Sequence, residues 1–90
     1  MREEFRWNDW NVEHIAAHGV LPEDAQWLVE HARRPYPQEL GDGRYLVVGQ
    51  LPNGQYAQVV YVFDPPGVAF VIHARPLREH EKRRFRRRIR

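Results

Sequence analysis

The stretch that decides the fold is Arg44–Arg75, RYLVVGQLPNGQYAQVVYVFDPPGVAFVIHAR. It holds three runs rich in β-branched and aromatic residues, separated by the turn-forming letters PNGQ and DPPG. Asn-Gly between such runs is a strong hairpin signal of the two-residue type, and DPPG turns the chain again. The sequence therefore predicts an antiparallel meander of three strands, over 44–51, 55–63 and 68–75.

Two segments upstream of these strands have the features of short helices. Asn8 or Asp9 can cap a helix that runs to His18, where Gly19 supplies the left-handed conformation that ends helices. Pro22 suits the first turn of a second helix, whose apolar residues recur at i, i+3, i+4 and i+7 as on a buried face. The sequence therefore predicts two helices before the sheet, joined by a glycine turn.

The remaining segments complete the predicted order of elements. Residues 36–43 carry the letters GDG and are predicted as a loop. Residues 77–89 contain strong helix formers and no breaker, which predicts a third helix with a thin apolar stripe of Leu77, Phe85 and Ile89. The result is an α+β fold, with two N-terminal helices and a C-terminal basic helix on one face of a three- to four-stranded antiparallel sheet.

The composition limits what this chain can be. Ninety residues with 42% hydrophobic side chains form one domain, 1–90, with room for one modest core and one surface site. No cysteine occurs, which excludes disulfides and thiol chemistry and favours a reducing cytoplasm. No apolar stretch is long enough to span a membrane, and no phosphate-loop or dinucleotide pattern occurs. We therefore expect neither a membrane partner nor a cofactor.

Charge is distributed unevenly along the chain. Residues 1–70 hold five Arg and ten acidic residues, whereas residues 71–90 hold nine Arg or Lys and two Glu. The predicted last helix concentrates this charge on side chains that suit contacts with a nucleic-acid backbone, and Arg can grip phosphate at two points. These candidate nucleic-acid-binding residues are Lys82, Arg83, Arg84, Arg86 and Arg87. An acidic protein partner is the alternative for the same helix.

The end of the last predicted strand places two functional side chains together. His73 and Arg75 are two residues apart, so in a strand they share a face at a separation of about 6–7 Å. With Val71 they would lie on the open face, since Phe70 and Ile72 form the obvious core face with Ala74. An imidazole beside a permanent cation suits phosphodiester chemistry. The alternative is an exposed histidine, with the arginine paired to Glu79 or Glu81.

Other residues with chemical potential have plainer interpretations. His14 and His18 have the i, i+4 spacing of metal ligands, but no third ligand is evident in the sequence, and we predict no metal site. Trp7, Trp10 and Trp27 are interpreted as core or interface residues rather than as platforms for stacked bases. The chain contains no Ser or Thr, which removes the usual hydroxyl nucleophiles.

Several stretches resemble the BrnT-type toxins of type II toxin–antitoxin systems. Residues 10–25, WNVEHIAAHGVLPEDA, resemble that family's helix ending in His-Gly-Val and the acidic start of its next helix. Residues 44–49, RYLVVG, resemble its first sheet strand, and residues 72–75, IHAR, resemble its Ile-Ser-Ala-Arg strand end. The positions that match its last helix are Glu81, Arg83 and Phe85. Together the matches cover roughly residues 5–88.

The resemblance implies a RelE-like ribonuclease fold, metal-independent RNA cleavage through the 2′-hydroxyl, and neutralisation by a cognate antitoxin. By position, Arg75 would be the catalytic arginine and Arg44 a supporting cation. His73 departs from the family, which usually has Ser there. From the residues alone, Tyr61 would be a further proton donor if its strand lies beside the last one. The alternative function is a non-catalytic module of the same fold that binds nucleic acid or a protein.

Overall fold

The computed structural model describes residues 4–65 and 67–88 and confirms the α+β fold. Over these residues the chain forms three α-helices and one four-stranded antiparallel sheet. The helices are Asp9–Ala16 (α1), Pro22–Glu30 (α2) and Glu79–Arg88 (α3). The strands are Gln38–Gly41 (β1), Arg44–Gln50 (β2), Tyr56–Asp64 (β3) and Val68–Pro76 (β4).

The sheet is a simple meander with the strand order β1-β2-β3-β4, so the predicted β2–β3 hairpin lies at its centre. The turn differs from the predicted two-residue type. The N–H of Gly54 donates to the carbonyl of Leu51, and the N–H of Leu51 donates to the carbonyl of Gln55. Gly54 has a φ of +93°, whereas Asn53 has no positive φ. These bonds describe a type I turn followed by a left-handed glycine, the usual three-residue hairpin loop.

Helix ends follow the predicted signals with small shifts. Asn8 caps α1, and its side chain and that of Asn11 form reciprocal hydrogen bonds to each other's backbone N–H. The left-handed Gly19, with a φ of +80°, follows α1 as predicted. Helix α1 ends at Ala16 rather than at the predicted His18, and Pro22 is the first residue of α2, which ends at Glu30.

The two faces of the sheet carry different elements, which corrects the expectation that all helices pack on one face. The inner face packs beneath α1 and α2, and its buried residues are Val47, Ala57, Val59, Tyr61, Ala69, Val71 and Ala74. The outer face consists of Arg44, Leu46, Val48, Gln58, Val60, Val62, Phe70, His73 and Arg75. Helix α3 covers part of the outer face, where its buried Phe85 packs against Tyr36 and Tyr56.

Some sequence predictions fall outside the described residues. Ile89 was expected in the apolar stripe of the last helix, and Pro66 in the turn before β4, and both lie outside the described part of the chain. Within the described part, no helix is long and apolar enough to cross a lipid bilayer.

Candidate functional site

Three histidines that are distant in sequence meet at the edge of the sheet formed by β4. His14 comes from α1, His18 from the turn after it, and His73 from β4. The ring centre of His73 lies 6.4 Å from that of His14 and 5.6 Å from that of His18, and the two helix-side rings are 6.4 Å apart. We call these three residues the histidine cluster. Two imidazoles within reach of one phosphate could serve as proton donor and acceptor.

The position of α1 brings two of these histidines to β4. Ile15 and Asn11 are fully buried and anchor the helix on the core. The Asn11 side chain accepts a hydrogen bond from the N–H of Asn8 at 2.8 Å and donates one to the carbonyl of Arg6 at 3.1 Å. Because the oxygen and the nitrogen of this buried amide are both hydrogen-bonded, the side chain fixes where α1 starts relative to the segment that precedes it.

A β-bulge determines where the side chain of His73 lies. Val60 opposes His73 across the ladder and Tyr61 opposes Val71, so β4 holds one extra residue, Ile72, at this point. The strict alternation used in the sequence prediction is broken there. Val71 is fully buried rather than open, and Phe70 lies on the outer face rather than in the core. The prediction that His73 shares a face with Arg75 is confirmed, because both follow the bulge.

An aromatic surface adjoins the histidine cluster. Trp10 is 54% exposed and so does not lie in the core. Its ring stacks on that of His14 at 4.9 Å and on that of Phe70 at 5.9 Å. The guanidinium of Arg6, paired with Asp64, lies 4.2 Å from the ring centre of Phe70. An exposed aromatic ring beside a cation is a surface on which an unpaired base can stack.

Burial and neighbouring cations change the acidity of the central histidine. Burial lowers the pKa of His73 below its ordinary value of 6.5, and the nearby His18, Arg75 and His14 lower it further. The imidazole of His73 is therefore mainly neutral at pH 7 and can accept a proton. In the described residues, no group of three or more His, Asp or Glu side chains has an arrangement that could hold a metal ion.

Arg75 is held by a two-point ion pair, which is one of the alternatives left open by the sequence. Its Nη1 donates to Glu81 Oε1 at 2.8 Å and its Nη2 donates to Oε2 at 2.7 Å, and Nη1 also donates to the carbonyl of Pro76. Because a guanidinium has five N–H donors, two of them, including Nε–H, are not used by these bonds in the described residues. Arg75 thus fastens the start of α3 to β4 and retains donors beside His73.

We expect Glu81→Gln to lower the free energy of unfolding at pH 7 by about 1–3 kcal/mol, because it breaks charged hydrogen bonds to a half-buried arginine. Arg75 and the N–H of Arg78 lower the pKa of Glu81 from 4.5 to about 2. A depressed carboxyl pKa stabilises the fold above pH 4.5, and this contribution is lost as pH falls from about 4.5 to 2. The difference in the free energy of unfolding between wild type and Glu81→Gln should therefore disappear as the pH falls over that range. Urea titrations followed by circular dichroism measure this difference.

Glu79→Gln is the matched control for this prediction. Glu79 is 71% exposed and pairs with Lys82 at 3.6 Å, so its loss should cost less than about 0.5 kcal/mol. Equal stability of the two variants at pH 7 would contradict the structural role given to Glu81.

The other two predicted catalytic residues do not join the histidine cluster. Tyr61 is 2% exposed and stacks with Tyr45 on the inner face, the opposite side of the sheet from His73. Its strand does neighbour β4, but burial removes it from contact with a substrate. Arg44 is exposed on the outer face, two strands from His73, at a Cα separation of roughly 12 Å from the strand spacing and rise. It can contact a long ligand but not the same phosphate.

The predicted basic residues lie on α3 beside the outer face. Arg83, Arg84, Arg86 and Arg87 are exposed, whereas Lys82 is half-buried. The guanidinium of Arg86 lies 5.7 Å from the ring centre of Tyr56. Because Arg75 ties the first turn of α3 to β4, the basic helix begins close to the histidine cluster, so one single strand could contact both.

Comparison with known proteins gives no relative for this chain: no family model, curated protein or solved structure matches it. The resemblance to BrnT-type toxins therefore rests on the residues quoted above. A functional argument must come from the side chains that the fold brings together.

Proposed function

We propose that this protein is a BrnT-like toxin, a metal-independent endoribonuclease that cleaves RNA through its 2′-hydroxyl and is neutralised by a cognate antitoxin. The observation that supports this most strongly is the histidine cluster, three imidazoles with ring centres 5.6–6.4 Å apart at an edge lined by an exposed Trp10. The resemblance to the family supplies the toxin and antitoxin part of the proposal.

The chemistry of RNA cleavage matches this set of groups. RNA carries its own nucleophile, so a protein that cleaves it needs a base for the 2′-hydroxyl proton, an acid for the departing 5′-oxygen, and cations near the phosphate. His73 serves as the base, because its lowered pKa leaves it neutral at pH 7. His14 or His18, both exposed, serves as the acid. The 2′-oxygen attacks phosphorus, and the products are a 2′,3′-cyclic phosphate and a free 5′-hydroxyl.

Positioning comes from groups around the cluster. Arg75 supplies the cation: Glu81 holds its guanidinium in place, and its unused N–H donors are available to a phosphate. Trp10 provides a stacking surface for the base next to the scissile phosphate, which is worth about 1–3 kcal/mol per base in other single-strand binders. The exposed arginines of α3, with Arg44 across the outer face, hold the flanking backbone.

Cleavage of a mixed-sequence single-stranded RNA in excess EDTA tests the proposal. We expect the wild-type protein to cut under these conditions, with activity that rises with pH through a value below 6.5, as His73 loses its proton. RNA that is bound but never cut would contradict the proposal and support the non-catalytic alternative. The protein would be purified from a nuclease-deficient strain, and a heat-denatured sample would be assayed beside it. These controls exclude cleavage by a contaminating ribonuclease.

A further inference from the structure

The edge of β2 beyond Leu46 has no neighbouring strand in the described part of the chain. Strand β1 pairs with β2 only from Leu46 back to Arg44, whereas β3 pairs with β2 along its whole length. Residues 47–50 therefore form an edge on the side away from β3. An unpaired edge offers backbone donors and acceptors to a strand from another molecule.

The hairpin bonds show which backbone groups point outward. The N–H of Leu51 donates to Gln55 toward β3, and hydrogen-bonded pairs alternate along an antiparallel ladder. Val47 and Gly49 therefore bond to β3, whereas Val48 and Gln50 direct their N–H and carbonyl groups away from it. The carbonyl of Tyr56, opposite Gln50, accepts from Leu77 on the far side of β3, which fits this alternation.

This edge lies in a groove with a cavity volume of about 480 Å³. On one side lie Trp27 and Leu28 of α2 and Ala32 just after it, and on the other side Tyr56 and Phe85 close the groove. The helix can approach this closely because Gly49 lacks a side chain: a Cβ there would lie 2.9 Å from Leu28 Cδ1. An added strand points successive side chains to opposite walls, and here each wall offers apolar side chains.

The charge around the groove favours an acidic occupant over a second copy of this chain. His31 and Arg33 line the groove, no acidic residue of the described chain does, and Arg86 lies over Tyr56 at its rim. Two copies paired edge to edge would bring Arg33 and Arg86 of both copies together, which is unfavourable. A nucleic acid has no backbone that continues a β-ladder, so the outward groups of Val48 and Gln50 suit a peptide.

We infer that the open edge of β2 binds an extended segment of a partner protein as an added strand, with apolar residues at its centre and acidic residues flanking them. The site is at the opposite edge of the sheet from the histidine cluster. It does not depend on RNA cleavage, because none of its lining residues belongs to the histidine cluster.

The test uses the full chain and a synthetic blocked peptide with a central apolar stretch flanked by glutamates. We expect saturable binding by fluorescence anisotropy, and slower amide exchange at Val48 and Gln50 in the bound state.

Gln50→Pro removes an outward N–H without removing a bond to β3, and should weaken binding about tenfold. Gln50→Ala keeps that N–H and should bind within about twofold of wild type. Arg33→Gln should also weaken binding, independently of any effect of proline on the strand.

Three results would overturn the inference. One is that wild type, Gln50→Pro and Arg33→Gln bind the peptide equally well, with circular dichroism showing that all three are folded. Another is equal binding of a peptide with lysines in place of the glutamates. The third is a concentration-dependent dimer, abolished by Gln50→Pro, which would show that the edge binds a second copy. Because Gln50 and Arg33 are remote from the histidine cluster, an RNA cleavage assay on the same variants separates this inference from the proposed function.

Discussion

Replacing His73 with alanine should lower the rate of RNA cleavage by about 10²–10⁴-fold, the usual contribution of a proton-transfer group. His73 lies near His14, His18 and Arg75, and its lowered pKa makes it the base. The variant should also lose the limb of the pH–rate profile that rises below pH 6.5. Initial rates on a defined single-stranded RNA between pH 5 and 8 give both quantities.

His80→Ala is the matched control, because His80 is exposed on α3 and lies outside the histidine cluster. Its cleavage rate should stay within about twofold of wild type. Circular dichroism confirms that both variants are folded. A folded His73→Ala protein that cleaves at the wild-type rate would remove His73 from the mechanism, and an unchanged pH profile would remove it as the titrating group.

Replacing the four exposed arginines of α3 with glutamine should flatten the salt dependence of RNA binding by about 1–3 units on a log–log plot. Each phosphate contact to a single strand contributes a slope of roughly −0.7, because binding releases condensed counterions. Affinity near physiological salt should change less than affinity at low salt. The substituted residues are Arg83, Arg84, Arg86 and Arg87. Filter binding in EDTA across a series of salt concentrations measures the slope.

Arg33→Gln with Arg34→Gln provides the matched control for this variant. Both residues are exposed arginines in the segment after α2 and do not belong to α3. Their replacement should change the slope by no more than about 0.7, the contribution of one phosphate contact. If the α3 variant keeps the wild-type slope, α3 does not contact the RNA backbone, and an acidic protein becomes its expected partner.

The sheet could be predicted from the sequence because its strands and turns carry local signals. The runs flanking Asn53-Gly54 are β-branched and aromatic, and their pairing places that hairpin at the centre of the sheet. The turn type was wrong, because a left-handed glycine at Gly54 fits two hairpin geometries and the hydrogen bonds decide between them. Strand Gln38–Gly41 was predicted as a loop. It is short and mostly exposed, so it has no hydrophobic alternation, and only its pairing with β2 makes it a strand.

The candidate site could be predicted only in parts. The spacing of His14 and His18 and the position of His73 were evident separately, but their meeting depends on how α1 packs against β4. The bulge at Ile72 is a tertiary feature without a sequence signal, and it moves Phe70 to the outer face beside Trp10. The choice between a free and a paired Arg75 likewise depended on where α3 lies.

The buried position of Tyr61 could have been anticipated from alternation in β3. It falls in register with Val59 and Ala57, which also face the core. Its polar hydroxyl suggested a catalytic donor, but a tyrosine in an alternating strand takes the face that its position dictates. Strand periodicity was the better guide here.

The chemical nature of the cleaved ends tests the central claim most directly. Wild-type protein would be incubated with a 5′-labelled single-stranded RNA in excess EDTA, and the products would be analysed by mass spectrometry. We predict fragments that end in a 2′,3′-cyclic phosphate and partners that begin with a 5′-hydroxyl, and no cleavage of the same RNA with 2′-O-methyl groups throughout. Uncut RNA, or fragments with 5′-phosphates and free 3′-hydroxyls, would contradict cleavage through the 2′-hydroxyl by the histidine cluster.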